Sequence, residues 1–150
     1  MSWYYENKEY SNIENFPKDS WGFVYKITNI IDNRFYIGKK SLWSVRNIKL
    51  TKKELLEQAL SKKPGRKATK KEVIKESDWK NYYGSEPTLK DDIKKLGKDN
   101  FKREIIYIAL NKKALTYSEI KYQMIYEVLE NENTYNSNIE GRYFKSDFLK

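Results

Sequence analysis

Hydrophobic and polar positions change period several times along the chain, and each change marks an element. Residues 21–28 alternate in part, with Phe23, Tyr25 and Ile27 set against Val24, Lys26 and Thr28, and residues 34–38 form a second short β-prone run. Asp32-Asn33 between them is turn chemistry, because both side chains tolerate left-handed backbone and bond back to their own chain. The two runs therefore read as an antiparallel hairpin. Thr51 and Glu54 stand at the spacing where each side chain satisfies the other's backbone amide, opening a helix with Leu55, Leu56, Ala59 and Leu60 on one side. Pro64-Gly65, within residues 62–67, breaks that helix. Thr69 and Glu72 repeat the spacing and predict a second, short helix carrying Val73 and Ile74; residues 79–84 (WKNYYG) read as irregular. Leu89, Ile93 and Leu96 recur at i, i+4 and i+7, predicting an amphipathic helix over 88–96 with Gly97 as its stop. Residues 101–110 (FKREIIYIAL) read as a central strand. A longer helix is expected over about 114–129 on a stripe of Tyr117, Ile120, Met124 and Val128, and the tail from Thr134 has no strong period.

The order β-β-α-α-α-β-α predicts the α/β class: a small three-stranded mixed sheet flanked by helices. Residues 1–20, with Trp3, Tyr4, Tyr5, Tyr10 and Phe16, read as an aromatic N-terminal arm that packs its rings on a single domain over 21–150. A basic insertion at about 39–78 interrupts that domain.

Composition narrows the chemistry. The 150 residues suit one domain, and 13 Tyr, 6 Phe and 4 Trp supply the apolar surface that a chain with 34% charged residues needs to fold. No run approaches the roughly 20 apolar residues of a membrane span, and the N-terminus lacks a signal-peptide pattern, so a cytoplasmic protein with no membrane partner is expected. There is no Cys and no His. Disulfides and thiolate sites are excluded, and with them the commonest general base and transition-metal ligand. Catalysis is left to Tyr, Lys, Arg, Glu or Asp, and a metal to oxygen ligands, which points to magnesium, manganese or calcium.

The net charge of +9 is unevenly placed. From Lys39 to Lys75 there are 13 Lys and Arg against Glu54, Glu57 and Glu72, a net of +10; residues 1–38 carry −1 and residues 76–150 carry zero. Such a concentration is the footprint of a phosphate-backbone contact, and a solvated basic loop is the plainer alternative. The candidates for that contact are Lys39, Lys62, Lys63, Arg66, Lys67, Lys70 and Lys71.

Val24-Tyr25-Lys26-Ile27-Thr28-Asn29, followed after a short turn by Tyr36-Ile37-Gly38-Lys39, resembles the paired signature of GIY-YIG nucleases, with Phe23-Val24-Tyr25 in place of Gly-Ile-Tyr. The resemblance continues through residues 79–106 and from Glu119 to Tyr135-Asn136, so it covers roughly 21–140. It is most similar to the stand-alone, phage-encoded, homing-like members of Seg type.

The resemblance implies an endonuclease that hydrolyses double-stranded DNA with Mg2+ or Mn2+, and it assigns roles. Tyr25 would help deprotonate the attacking water, with Tyr36 in support. A phenol with a pKa near ~10 is a poor base alone, but a metal-bound water and nearby cations favour the phenolate. From alternation alone, both rings are equally hairpin packing. Glu119 is the metal-binding position, sharing a helix face with Tyr122, Gln123 and Tyr126. The phosphate-holding cation is Arg46, whose guanidinium can grip two oxygens at once, or else Lys40. Tyr83, in preference to Tyr82, stands where the family has a His or Tyr, and Asn136 matches the late asparagine that orders the site.

Two other function classes stay open on the sequence. One is a non-catalytic nucleic-acid-binding module on the same scaffold; the other is a phage interaction protein whose basic insertion docks on an acidic partner. Target sequence, nicking against double-strand cleavage, and monomer against homodimer are not encoded in any recognisable motif.

Overall fold

A computed structural model describes residues 1–61 and 64–149, so the predicted DNA contacts Lys62 and Lys63 lie outside the described residues. Along the chain run β1 (Trp3–Tyr5), β2 (Lys8–Tyr10), β3 (Gly22–Asn29), β4 (Phe35–Ser41), β5 (Trp43–Lys49), α1 (Lys52–Leu60), β6 (Lys70–Glu76), α2 (Pro87–Leu96), β7 (Phe101–Ala109), α3 (Lys112–Ile125), β8 (Asn138–Ile139) and β9 (Tyr143–Phe144). They form two compact units: Met1–Leu42 with Asp78–Lys150, and Trp43–Ser77.

The larger unit is a five-stranded mixed sheet in the order β2-β1-β7-β3-β4, not the three strands expected from periodicity. The extra pair comes from the N-terminal arm. β1 and β2 are antiparallel to each other, and β1 runs parallel to β7 with Trp3 opposite Arg103. Each strand has only three residues, too short to show a period; the arm joins the sheet because Trp3 and Phe16 reach its core. Trp3 lies edge-on to Phe23 and Tyr25 at centroid distances of 4.9 and 5.3 Å, and its indole N–H donates to Trp79 O at 2.8 Å. The predicted hairpin is β3–β4, and the predicted central strand is β7, paired on both sides.

β3 is buried on both faces, which suits its run of Phe23, Val24, Tyr25 and Ile27. Between the β3–β7 pairs Val24–Tyr107 and Tyr25–Ile105 the register shifts, with Ile106 as the extra residue on β7. Such a bulge re-aims the side chains beside it. One core, of Val24, Ile37, Ala109, Leu115, Val128, Leu129 and Ile139, holds α3 against the sheet. The aromatic group of Trp3, Phe16, Phe23 and Trp79 forms a second.

α3 differs from its expected form in face and length. Tyr117 and Met124 of the predicted apolar stripe are 70% and 56% exposed, whereas Leu115, Ser118 and Gln123 are buried. The face turned inward is therefore the one carrying Glu119 and Gln123. The helix stops at Ile125 because Glu127 takes a left-handed φ of +51°, and the Glu127 and Val128 amides fold back onto Met124 O and Gln123 O. This closing arrangement normally carries Gly at its left-handed position, so its sequence signal is missing here. Its compensation is Val128, which is fully buried.

In the smaller unit the predicted helix α1 forms, capped by Thr51 and Glu54 as expected. The predicted second helix is instead β6, antiparallel to β5 from Trp43–Glu76 to Lys49–Lys70. Val73 and Ile74 find partners in Arg46 and Val45, and this non-local pairing overrides the local capping signal of Thr69 and Glu72.

Candidate active site

Tyr25 and Tyr36 reach one face of the sheet from neighbouring strands. Tyr25 stands opposite Gly38 and Tyr36 opposite Ile27, which makes the two tyrosines diagonal neighbours. Their ring centroids are 6.0 Å apart, and Tyr82 closes edge-on against Tyr25, also at 6.0 Å. Glycine makes this approach possible. A Cβ on Gly38 would lie 2.6 Å from Tyr25 Oη and 2.7 Å from Tyr36 Cε1, and Gly84, at φ +92°, borders the same hydroxyl.

Burial fixes the state of both phenols. Tyr25 is fully buried, and loss of hydration, followed by the neighbouring Tyr36 and Tyr82, holds its pKa well above 10. Tyr36 is raised to about 12, chiefly by burial, with a hydrogen bond to Ser85 acting in the opposite direction. Both are neutral at physiological pH. Tyr25 is thus held as a neutral, hydrogen-bonding phenol behind Tyr36.

α3 carries Glu119 to the edge strand β4. Its side chain is 13% exposed and lies 3.9 Å from Lys39 Nζ, which also donates to Thr116 Oγ1 at 3.0 Å. Burial raises the Glu119 pKa to about 7; Lys39 opposes the rise, and Glu140, within hydrogen-bonding reach, adds to it.

Asn136 closes the edge of β4. Its Oδ1 accepts from Ile37 N–H at 3.0 Å and its Nδ2 donates to Ile37 O at 2.8 Å, so one amide imitates a neighbouring strand. Gln123 Nε2 donates to the same carbonyl at 3.1 Å. Together they fix the backbone between Tyr36 and Gly38 and cover an edge that would otherwise be free to pair. Tyr36, Ser85, Glu119, Gln123, Asn136 and Glu140 line a cleft of about 370 Å³.

The predicted cations divide differently. Lys39, expected at the DNA backbone, is the one beside Glu119. Lys40 donates to Asp78 Oδ1 at 2.6 Å and lies 4.1 Å from the Tyr82 ring centroid, which lowers the Asp78 pKa. Arg46 belongs to the smaller unit, on β5 opposite Val73. Of the two tyrosines weighed for the His-or-Tyr position, Tyr83 stacks under Arg103 at 4.1 Å and bonds the Met1 terminus, while Tyr82 meets Tyr25. Arg103 is a positioning residue that sequence reasoning missed. Its buried guanidinium donates to Lys80 O at 3.0 Å, Tyr82 O at 2.9 Å and Met1 O, pinning the segment that presents Tyr82. Glu140 was also missed; the Glu140-Gly141 turn was its only local signal.

In the smaller unit, eleven Lys and Arg face four Glu, a net of +7. The register sorts them by face. Ser44, Arg46 and Ile48 pair with Lys75, Val73 and Lys71 on a side where neither strand carries an acidic residue, while Glu72 and Glu76 share the other with Lys49 and Lys70. Lys71 also bridges to Glu54 at 2.8 Å, and Lys67 donates to Gln58 O and Ser61 O at the C-terminal end of α1. Arg66 and Lys70 are exposed.

The larger unit thus brings together a tyrosine pair on neighbouring strands, an inward helical glutamate and an asparagine at the strand edge. A protein-family model described as "Putative endonuclease segE, GIY-YIG domain" matches residues 3–139. The chain belongs to this GIY-YIG endonuclease family, in its Seg-type branch, and the match takes in β1 and β2 as well as the basic hairpin. No curated protein and no solved structure matches the chain. Among the described residues, no helix is long and apolar enough to cross a membrane.

Proposed function

We propose that the protein is a divalent-cation-dependent endonuclease that hydrolyses phosphodiester bonds of double-stranded DNA with Mg2+ or Mn2+. The observation that carries this reading is Glu119, an inward carboxylate on a polar cleft that it shares with the Tyr36 phenol. The residues present fit a hard cation. The cleft is lined by oxygen donors, and the buried Gln123 Oε1 has no partner among the described residues. Among those residues no group of three or more acidic side chains gathers, so water and substrate phosphate would complete the coordination, as is common for magnesium. When bound, the ion supplies a Lewis acid that activates water and neutralises the departing oxygen.

The chain's own groups do the rest. Glu119 holds the cation. Tyr36, with Ser85 beside it, orients the attacking water, and Tyr25 with Tyr82 keeps the Tyr36 ring in place. Lys39 offsets phosphate charge in the role expected of Arg46 or Lys40. Asn136 locks the strand between them. The face of the β5–β6 hairpin that carries Arg46 and Lys75 grips the DNA backbone, and a two-stranded ribbon of this kind fits the major groove. Resemblance to the stand-alone phage members supports a phage gene and action in the host cytoplasm.

Supercoiled plasmid incubated with Mg2+ and with EDTA, beside a gel shift, tests this reading. Nicked circles should appear first with Mg2+ and be absent with EDTA, because one active site cuts one strand. Salt-sensitive binding with no nicking in any divalent ion would refute the catalytic reading and leave a binding module.

A further inference from the structure

The turn between β8 and β9 carries an unexpected residue. Arg142 N–H donates to Ile139 O at 3.0 Å, and both central residues have positive φ, +54° at Glu140 and +62° at Gly141. This geometry favours Asn, Asp or Gly at its first central position, because Gly has no Cβ to crowd the carbonyl and the short polar side chains of Asn and Asp offset that crowding with local hydrogen bonds, which Glu is too long to make as well. Glu140 occupies it, and its carboxyl faces the cleft within hydrogen-bonding reach of Glu119.

A second observation points into the same space. Gln123 lies one helical turn beyond Glu119 and is 95% buried, at 5% exposure. Gln123 lines the cleft; its Nε2 is committed to Ile37 O, and its buried Oε1 has no partner among the described residues. Two carboxyls that repel when ionised thus face each other beside an unsatisfied amide oxygen. A hard divalent cation with its water shell answers all three: it draws the carboxylates together, and a coordinated water can donate to the amide.

Resting on the cation-dependent reading above, we propose that Glu140 is a second, direct carboxylate donor to the ion held by Glu119, and that Gln123 Oε1 accepts a hydrogen bond from a water on that ion. A left-handed glutamate is then retained for what its side chain binds.

The test is Mn2+ binding to the DNA-free full chain, read from the electron paramagnetic resonance signal of free Mn2+. Glu140→Gln removes the charge and keeps the awkward backbone; Glu140→Asn removes it and supplies the residue the turn prefers. Both should weaken Mn2+ binding on the order of 10-fold or more, and Glu140→Asn should raise the metal-free Tm, which shows that its fold is intact. If both variants bind Mn2+ as wild type does while Glu119→Gln loses it, the second-donor proposal is overturned and the cation site stands. Unchanged binding in all three variants overturns the cation site itself.

Discussion

Gly38→Ala adds one methyl group where the structure has no room for it. The new Cβ would sit 2.6 Å from Tyr25 Oη, 2.7 Å from Tyr36 Cε1 and 2.8 Å from Tyr25 Cζ, whereas ordinary contact begins at 3.4 Å. The phenol oxygen would have to retreat by about 0.8 Å. Tyr25 cannot do so freely, being 1% exposed and enclosed by Trp3, Phe23 and Tyr82. Overpacking of this kind costs about 1–3 kcal/mol. Because the displaced groups are the site phenols, cleavage should fall more than folding does, by roughly 100-fold for a shift near 1 Å. Urea denaturation gives the stability change, and single-turnover cleavage at saturating Mg2+ and DNA gives the rate. Gly97→Ala is the control. It also has positive φ but nothing within 4 Å of the new Cβ, so it should lose about 1 kcal/mol and keep its activity. Wild-type cleavage by Gly38→Ala, or equal losses of activity in the two variants, would refute the view that Gly38 sets the tyrosine geometry.

Glu119 makes the metal-free protein sensitive to pH. A carboxyl raised from 4.5 to about 7 binds its proton more tightly when folded, so it stabilises the fold below pH 4.5 and loses that contribution as pH rises to 7. The loss is on the order of 3 kcal/mol, and stability curves in EDTA for wild type and Glu119→Gln should diverge over that window; parallel curves would contradict it. Asn136→Ala leaves Ile37 N–H without its acceptor, while Gln123 still serves Ile37 O. It should lower stability by about 1–3 kcal/mol, and an unchanged urea midpoint would contradict the edge-closing role. Neutralising Arg46 and Lys75 together should reduce the slope of log K for DNA against log salt by about 2 if each meets a phosphate. An unchanged slope would remove that hairpin face from the DNA contact.

What the sequence showed directly was local. The β3–β4 hairpin announces itself by alternation on either side of Asp32-Asn33, and α2 by Leu89, Ile93 and Gly97, because each signal lies within a few residues. β1 and β2 could not be read this way. Three-residue strands have no period, and they exist only because Trp3 reaches a core built from residues far along the chain. β6 misled for a related reason: its capping signal is local, and its strand partner begins 27 residues earlier. The α3 stripe was legible only in part: Ile120 and Val128 pack on the core, but Tyr117 and Met124 do not. An enzyme that turns Glu119 and Gln123 inward leaves Tyr117, Met124 and Ile125 outside, and periodicity cannot distinguish a site face from a solvent face. The family signature supplied Tyr25, Tyr36, Glu119 and Asn136, which gather on one larger unit. It gave no access to Tyr82's position or Arg103's grip, since those depend on how an irregular segment is pinned.

In the proposed mechanism Glu119 and Tyr36 act in cutting and not in holding DNA. Single-turnover cleavage by wild type, Glu119→Gln and Tyr36→Phe, each at DNA occupancies matched by gel shift, tests it directly. Both variants should bind DNA as wild type does, with Glu119→Gln showing no Mg2+-dependent nicking and Tyr36→Phe slowed by about 100-fold or more. Wild-type nicking by either variant at equal occupancy would contradict its assigned role, and wild-type nicking by both would remove the β4-edge cleft as the active site.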